Sequence, residues 1–230
     1  MSEKGQLFVV GTPIGNLKDI SIRAISTLEN VDLILAEDTR NSKKLLNAHN
    51  INTKMISYHE YSNENETQRI INLLNNGKNL ALISDAGTPT ISDPGYGLIR
   101  NCIKAKIKII PIPGASAITT ALSVSGLPSD SFTFYGFLPQ KKGRLKKIKD
   151  LTNIDNTIIL FESPYRLEKT LNQLFDLLGN RTVVVGRELT KLYEEIIRGN
   201  LYEIIEYFSK TKVKGEIVIM IGKDDDRINF

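Results

Sequence analysis

The sequence lacks tryptophan and contains one cysteine and two histidines among its 230 residues. A single cysteine, Cys102, cannot form a disulfide within the chain, and it predicts a protein of a reducing compartment. The histidines, His49 and His59, lie apart from each other and from Cys102, so the usual ligand spacings of a zinc site are missing. The composition therefore excludes a disulfide-stabilised scaffold and predicts no metal centre.

Long hydrophobic runs are missing as well. The first apolar run, Leu7–Val10, is too short for the core of a signal peptide, and no later run approaches the length of a membrane span. We therefore expect a soluble, cytoplasmic protein. With 41% hydrophobic and 24% charged residues the composition is that of a globular chain, and a net charge of +4 is too small to indicate nucleic acid by itself.

The first half of the chain alternates short apolar runs with longer amphipathic ones, which is typical of βαβ units. The pattern predicts a doubly wound, mostly parallel five-stranded sheet. Its predicted strands are Leu7–Val10, Leu33–Ala36, Lys54–Ser57, Leu80–Ser84 and Lys108–Ile112. Helices are expected near 19–29, 41–49, 63–76, 94–105 and 115–125, with an Asn63–Glu66 capping box and a stop at Gly77 on the third.

A second α/β domain is predicted after the turn-rich segment Gly126–Asp130, which divides the chain into domains 1–125 and 126–230. Short turns between some of its strands favour a mixed sheet. Its predicted strands are Phe132–Tyr135, Thr157–Phe161, Thr182–Gly186, Glu194–Arg198 and Glu216–Ile221. Helices are expected near 141–151, 164–178 and 200–209, the second capped by Ser163 with Pro164 at its first position and ended by Gly179.

Three loops rich in glycine and proline follow the first, fourth and fifth predicted strands. They are Gly11–Asn16, Asp85–Gly95 and Pro111–Ser116. Ligands of open α/β sheets bind beyond the carboxyl ends of the strands, where glycine admits close approach of the backbone and proline holds a loop rigid. Each loop alone could simply join a strand to a helix, but three on one edge predict a ligand site.

Two nucleotide-binding motifs fit this site poorly. Gly11 and Gly15 suggest a dinucleotide fingerprint, and Glu37 lies at a suitable distance for a ribose contact. Pro13, however, stands where the second glycine is needed, and it removes the room for a pyrophosphate. No Gly-Lys-Ser/Thr follows, so a P-loop is excluded too.

Short strings along the chain identify a family resemblance. They are Gly11–Ile20, Ala36–Arg40, Ser84–Gly95, Pro113–Ala117, Gly136–Pro139, Phe161–Arg166 and Gly186–Lys191. In this order, over about residues 6–222, they closely resemble the small-subunit ribosomal RNA methyltransferases of the tetrapyrrole methylase superfamily. Many members continue with a basic C-terminal extension, whereas this sequence reads Asp224–Asp226 and then runs to Phe230. We therefore expect RNA contacts from the two core domains or from a partner.

The resemblance implies S-adenosylmethionine-dependent 2′-O-methylation of a cytidine in 16S ribosomal RNA, by a homodimer that acts on free RNA or on the assembled small subunit. It implies a cofactor cleft between two α/β domains, with Leu138 and Pro139 as contacts from the second domain and no metal. The implied contacts from the first domain are Thr12, Pro13, Gly15, Asp85, Ala86, Gly87, Thr88, Gly114, Ala115 and Ser116.

Transfer of a methyl group to a sugar hydroxyl is an in-line displacement, and a base that takes the hydroxyl proton accelerates it. The base is left open among Asp38, Glu60, Glu162 and Glu188, with His59, Asp85 and Asp93 as further candidates. Each has a structural alternative. Asp93 is a natural helix N-cap, His59 a surface residue, and Asp38–Arg40, Glu162–Arg166 and Arg187–Glu188 are candidate ion pairs.

The candidate RNA contacts are Arg40, Lys142, Arg144, Lys146, Arg166 and Arg187. Three of them belong to the acid-free basic run 141–149, which fits either a phosphate-contacting surface or an ordinary solvated helix face. Two other functions remain open for the whole chain: a small-molecule methylase acting on a tetrapyrrole, and a non-catalytic RNA-binding or ribosome assembly factor.

Overall fold

The computed structural model describes residues 3–59, 64–223 and 225. The chain divides into two compact units, the first ending at Ser116 and the second beginning at Ala117. Each unit is built on one five-stranded sheet flanked by helices. The predicted fold class is confirmed, because the first sheet is parallel throughout and the second is mixed.

The sheet of the first unit has the strand order β3-β2-β4-β1-β5. Its strands are β1 (Gln6–Val10), β2 (Leu33–Ala36), β3 (Met55–Ser57), β4 (Leu80–Ile83) and β5 (Lys108–Ile112). The connecting helices are α1 (Ile22–Asn30), α2 (Thr39–Ala48), α3 (Glu64–Asn75) and α4 (Tyr96–Lys104), with a short 3-10 helix at Leu17–Asp19. All five strands match predicted ones to within a residue or two at each end.

Alternate strand residues face opposite sides of this sheet, and each side carries two helices. Ile34, Ala36 and Val10 pack with α1 and α2, whereas Leu35, Leu7 and Leu82 pack with α3 and α4. Right-handed crossovers explain this arrangement. The connections through α1 and α2 run toward the β3 side of the sheet, whereas those through α3 and α4 run toward the β5 side, so the two pairs of helices lie on opposite faces. All strands therefore end at one edge, where the loops after β1, β2, β4 and β5 lie.

Helix termini in the first unit test several sequence predictions. Gly77 (φ 84°) follows α3 as predicted, while Asn63 of the predicted capping box lies outside the described residues. The predicted N-cap at Asp93 is wrong, because α4 begins after Gly95. Gly95 has φ 127°, and a Cβ there would lie 2.8 Å from Leu82, so the turn into the helix depends on this glycine.

The sheet of the second unit has the strand order β6-β7-β10-β8-β9. Its strands are β6 (Phe132–Phe137), β7 (Thr157–Glu162), β8 (Thr182–Arg187), β9 (Glu195–Asn200) and β10 (Ile217–Ile221). Its helices are α5 (Ala117–Ser125), α6 (Arg144–Asp150), α7 (Leu167–Leu178) and α8 (Leu201–Ser209), with a 3-10 turn at Leu151–Asn153. Only β6 and β7 are parallel neighbours; β10 is antiparallel to β7 and β8, and β9 to β8.

One face of this sheet packs against α6, α7 and α8 in a single apolar core. Helix α5 packs on β10, and Arg198 of β9 donates to the carbonyl oxygens of Val124 and Ser125 at its end. These contacts group α5 with the second unit, so the division falls before this helix, whereas the sequence places the domain boundary after it.

The start of α7 differs from its prediction. The helix begins at Leu167 with Arg166 as N-cap, so the predicted cap at Ser163 is wrong. Residues 163–166 form a turn instead, in which the Arg166 N–H donates to the Ser163 carbonyl at 3.1 Å. The Glu162 carboxylate stabilises this turn by accepting the Ser163 N–H at 2.8 Å. Gly179 (φ 75°) ends α7, as predicted.

Candidate cofactor and substrate site

The loop after β1 is bridged to the loop after β4. The Thr12 N–H donates to the Gly87 carbonyl at 2.8 Å, and the Gly87 N–H returns a bond to the Thr12 carbonyl at 3.1 Å. The buried Thr12 hydroxyl lies 3.3 Å from the carbonyl oxygens of Ser84 and Gly87. Thr12 therefore has a defined structural task, which is to hold two of the predicted ligand loops together.

The same loop touches the loop after β5 through two glycines. A Cβ on Gly11 would lie 2.7 Å from the Gly114 nitrogen, and one on Gly114 would lie 2.6 Å from the Gly11 carbonyl carbon. A Cβ on Gly87 would lie 3.8 Å from the Ala115 carbonyl oxygen, so the third pair of loops is close as well. The expectation that the three loops converge at one edge of the sheet is confirmed. We call this surface the loop rim.

Acidic side chains join the loop after β2 to the loop rim. The exposed Asp85 carboxylate accepts the Asp38 N–H at 3.0 Å and the Asn41 side-chain amide at 3.1 Å. The Glu37 carboxylate in turn accepts the Asp85 N–H. Burial, and then the nearby negative charge of Asp85, raise the pKa of Glu37. The rim therefore carries one carboxyl whose surroundings favour the protonated form.

Asp38 behaves in the opposite way. It caps α2 through the Arg40 N–H and pairs with the Arg40 guanidinium at 2.8 Å, as predicted for a local ion pair. The Arg40 hydrogen bonds hold the pKa of Asp38 at about 2. Such a carboxylate is a weak base near neutral pH. The Arg40 side chain is 89% exposed, so its guanidinium is accessible from solvent.

Two further candidate bases of the first unit, His59 and Glu60, follow β3 in the sequence. The His59 ring nitrogen Nε2 lies 2.6 Å from the Ser57 hydroxyl, at the end of β3. Glu60 lies outside the described residues. Cys102 is fully buried, as expected for a packing residue, and burial raises the pKa of its thiol to about 12.

Glu162, one of two candidate bases of the second unit, lies in a buried network at the end of β7. Its side chain is 1% exposed and pairs with the guanidinium of Arg166 at 2.7 Å and of Arg144 at 3.4 Å. It also accepts the Thr170 hydroxyl at 2.6 Å. The predicted Glu162–Arg166 pair is present, and the enclosure of Glu162 favours a structural role over proton transfer.

Arg144 shares this network, and the structure corrects the reading of Arg144 as an RNA contact. The residue is 4% exposed, and its guanidinium donates to Gln173 at 2.8 Å and to the Pro139 carbonyl at 3.1 Å. A phosphate would have to displace these partners. Lys142 and Lys146 are exposed, so both interpretations of the basic run, an RNA-contacting surface or a solvated helix face, stay open for these two lysines. Arg144 is the buried basic residue of the run and has a structural role.

Arg187 and Glu188, at the end of β8, are predicted to form an ion pair, but in the structure each of them pairs with a different residue. Arg187 pairs with Glu195 at 2.9 Å, and Glu188 pairs with Lys191 at 2.8 Å. Burial pushes the pKa of Glu188 upward, but the hydrogen bonds from Lys191 and from the Glu216 N–H outweigh it and lower the pKa. The strand register explains why Arg187 pairs with Glu195 and not with Glu188. Strand β9 lies antiparallel to β8 and brings Glu195 directly opposite Arg187.

The two predicted cofactor contacts of the second unit differ in exposure. Leu138 is 2% exposed and packs in the apolar core, so a ligand could meet only its backbone. Pro139 is exposed, and its carbonyl oxygen is the group that Arg144 holds. The buried network thus fixes the segment that the family resemblance assigns to the cofactor.

The described part of the chain has neither a cluster of metal ligands nor a membrane-spanning helix. No group of three or more His, Cys, Asp and Glu side chains there could hold a metal ion. None of the helices in residues 3–59, 64–223 and 225 has the length and apolar character needed to cross a membrane.

The family of this chain is shown by its sequence. Residues 6–205 match the sequence model of the family described as Tetrapyrrole (Corrin/Porphyrin) Methylases, and the chain belongs to this family. The resemblance that the sequence motifs indicate is therefore confirmed.

Within the family, the chain is similar to proteins named ribosomal RNA small subunit methyltransferase I. It is 49% identical over 227 residues to the one of Halalkalibacterium halodurans, covering 98% of this chain and 78% of that protein. It is 47% identical over 221 residues to the one of Thermotoga maritima, covering 96% and 100%.

Solved structures with the same fold are more distant in sequence. The cobalamin biosynthetic enzyme cobalt precorrin-4 methyltransferase aligns with a TM-score of 0.70 at 17% identity, over 94% of each chain. Diphthine synthase aligns with a TM-score of 0.73 at 15% identity, over 95% of this chain and 90% of that one. At such identities the likeness shows the fold alone.

Proposed function

We propose that this chain transfers the methyl group of S-adenosylmethionine to the 2′-oxygen of a cytidine in 16S ribosomal RNA. The observation that carries the proposal is the loop rim, where the Thr12–Gly87 bridge and the close approach of Gly11 to Gly114 bring the loops after β1, β4 and β5 together. The choice of substrate rests on relatives that share 45–49% identity over nearly the whole chain and are named ribosomal RNA methyltransferases. A cytoplasmic homodimer belongs to the same proposal.

The chemistry of the rim suits this cofactor, which carries an α-ammonium and carboxylate, a ribose and an adenine. The exposed Asp85 carboxylate has lone pairs left to accept from an ammonium group or a ribose hydroxyl. The half-buried Thr88 hydroxyl and the backbone groups of Gly114 and Ala115 can donate and accept in addition. The bound cofactor would supply a methyl carbon made electrophilic by a sulfonium.

Positioning accounts for much of the acceleration expected from this chain. Well-oriented reactants gain roughly 7–11 kcal/mol, and the rim can align a donor because its loops are tied to each other by backbone contacts. On the second unit, the Arg144–Glu162 network holds the Pro139 segment in place. No metal is required for such a displacement.

Glu37 is not among the bases that the sequence suggests, but its surroundings suit a general base better than those of Asp38 do. Its raised pKa makes it a stronger base than Asp38, whose pKa is about 2. Glu37→Gln should lower the methylation rate by about 10²–10⁴-fold and remove the acid limb of the pH–rate profile, whereas Asp38→Asn should retain that limb. A Glu37→Gln enzyme with an unchanged profile would remove Glu37 from the mechanism.

The test of the proposed function is transfer of labelled methyl groups from S-adenosylmethionine. Small ribosomal subunits and free 16S RNA are supplied side by side, together with tetrapyrrole precursors. Label in RNA at a single position resistant to alkaline cleavage supports the proposal. Label only in a tetrapyrrole, which the shared fold allows, would replace it. Binding of RNA without any heat of cofactor binding in calorimetry would favour a non-catalytic assembly factor.

A further inference from the structure

Exposed aromatic side chains follow the carboxyl ends of β7 and β8 in the second sheet, and they suggest how RNA is bound. We propose that unpaired bases of small-subunit ribosomal RNA stack on Tyr165 and Tyr193. This inference rests on the proposed function for the identity of the RNA. We call the surface the stacking edge and define it by Tyr165, Leu192 and Tyr193 with the flanking Lys141, Lys142, Lys212 and Lys214.

Strand register places these residues together. Glu162 at the end of β7 and Arg187 at the end of β8 both lie opposite Ile217 of the intervening β10. The turn that carries Tyr165 and the loop that carries Leu192 and Tyr193 therefore leave the same edge of the sheet. Two strand spacings separate them, which is about 10 Å.

The exposure of these side chains is unusual for apolar groups. Tyr165 is 97% exposed, Leu192 89% and Tyr193 69%. Phe137, at the end of β6 on the same edge, is 53% exposed. Adjacent exposed apolar side chains on a folded unit indicate a surface that a partner covers.

The backbone beneath these side chains is firmly held. Lys191 pairs with Glu188 at 2.8 Å and with Glu216 at 3.0 Å, which ties the β8–β9 loop to the start of β10. The Thr190 N–H donates to Glu194 at 2.6 Å within the same loop. Rigid loops with exposed rings lose little entropy on binding, as a preorganised platform requires.

The charge of the stacking edge is positive after local pairing. Glu162 is paired with Arg166, whereas Glu188 and Glu216 share Lys191. Lys141 and Lys142 follow β6, and Lys212 and Lys214 precede β10; all four are exposed and make no ion pair with the part of the chain that the structure describes. The Lys214 carbonyl accepts from Arg187, which places this segment beside the end of β8.

Rings flanked by unpaired lysines fit single-stranded RNA better than the alternatives. Bases of a single strand can splay out and stack on tyrosine while lysines meet the phosphates, whereas duplex bases are stacked on one another. A second copy of this chain using the same edge would bring like charges together, which disfavours self-association here.

Binding of a fluorescent oligoribonucleotide tests the inference. The probe is a single strand of about twelve nucleotides, compared with a duplex of the same sequence. Tyr165→Ala and Tyr193→Ala should each weaken single-strand binding by about fivefold to a hundredfold, while Tyr165→Phe and Tyr193→Phe retain it. The matched control is Tyr202→Ala, because Tyr202 is 60% exposed but follows β9, which ends at the opposite edge.

Salt dependence separates stacking from charge. The alanine variants of the tyrosines should keep the slope of log affinity against log salt, because the rings carry no charge. Lys141→Ala with Lys142→Ala should lower that slope by about 0.7 per lost phosphate contact. The inference would be overturned if Tyr165→Ala and Tyr193→Ala bound the single strand as tightly as the control Tyr202→Ala does. It would also be overturned if these two variants were monomers in sedimentation while the wild type was a dimer.

The two proposals fail in different ways. A wild-type protein that methylates ribosomal RNA, with tyrosine variants of unchanged affinity and unchanged KM for RNA, contradicts the stacking edge alone. A wild-type protein that transfers no methyl group to RNA, yet binds the oligonucleotide through both tyrosines, contradicts the proposed function alone.

Discussion

Replacing Arg144 by methionine would test whether this residue is structural. Arg144 is 4% exposed and shares the Glu162 carboxylate with Arg166. Breaking a buried ion pair by removing one partner costs about 3–5 kcal/mol. We expect the lower end, about 3 kcal/mol, because Glu162 keeps Arg166 and the Ser163 N–H. For a unit of this size the melting temperature should fall on the order of 10 °C.

Thermal unfolding followed by calorimetry measures this change, with Lys146→Met as the matched control on the same helix. Lys146 is exposed, so its substitution should alter stability by about 0.5 kcal/mol or less. Adding Glu162→Gln to Arg144→Met removes a buried carboxylate that has lost one of its two arginine partners, so the double variant should lose at least about 1 kcal/mol less than the sum of the single variants.

Equal melting temperatures for Arg144→Met and Lys146→Met would refute the structural role of Arg144. Strictly additive losses in the double variant would show that the two side chains do not interact. Weaker RNA binding by folded Arg144→Met, with unchanged stability, would restore the interpretation of Arg144 as an RNA contact.

Three further predictions follow from the first unit. Gly114→Ala should weaken binding of S-adenosylmethionine by calorimetry at least about tenfold, because its Cβ meets the Gly11 backbone, whereas Gly97→Ala has open space and should leave binding unchanged. Cys102 should resist Ellman's reagent in the native protein at pH 8 and react on unfolding, since burial raises its pKa to about 12; rapid native reaction would contradict this. Asp38, with its pKa lowered to about 2, contributes stability that is present above its unfolded pKa near 4 and is lost as pH falls toward 2. The melting curves of wild type and Asp38→Asn should therefore converge in that window, and a constant difference down to pH 2 would be inconsistent with the lowered pKa.

Local patterns in the sequence were sufficient for the elements and their class. Apolar runs such as Leu80–Ile83 and helix stops such as Gly77 depend on neighbours within a few residues, so periodicity and turn chemistry predict them. The family strings also predicted that the loops after β1, β4 and β5 belong to one site. The helix starts at Tyr96 and Leu167 were missed, because the N-caps are Gly95 and Arg166 and neither has a capping side chain that the sequence would reveal.

Only the tertiary structure decided which charges are buried and which side chains meet. Arg144 lies in a basic run that reads as surface, yet its partners Glu162 and Gln173 come from distant parts of the chain. Likewise, the contact of Gly11 with Gly114 and the shared edge of Tyr165 and Tyr193 depend on strand order and register. The sequence by itself determined the fold class and the family, because both are recorded in local pattern and motif order. Burial and ion pairing required the fold, because they arise between residues that only folding brings together.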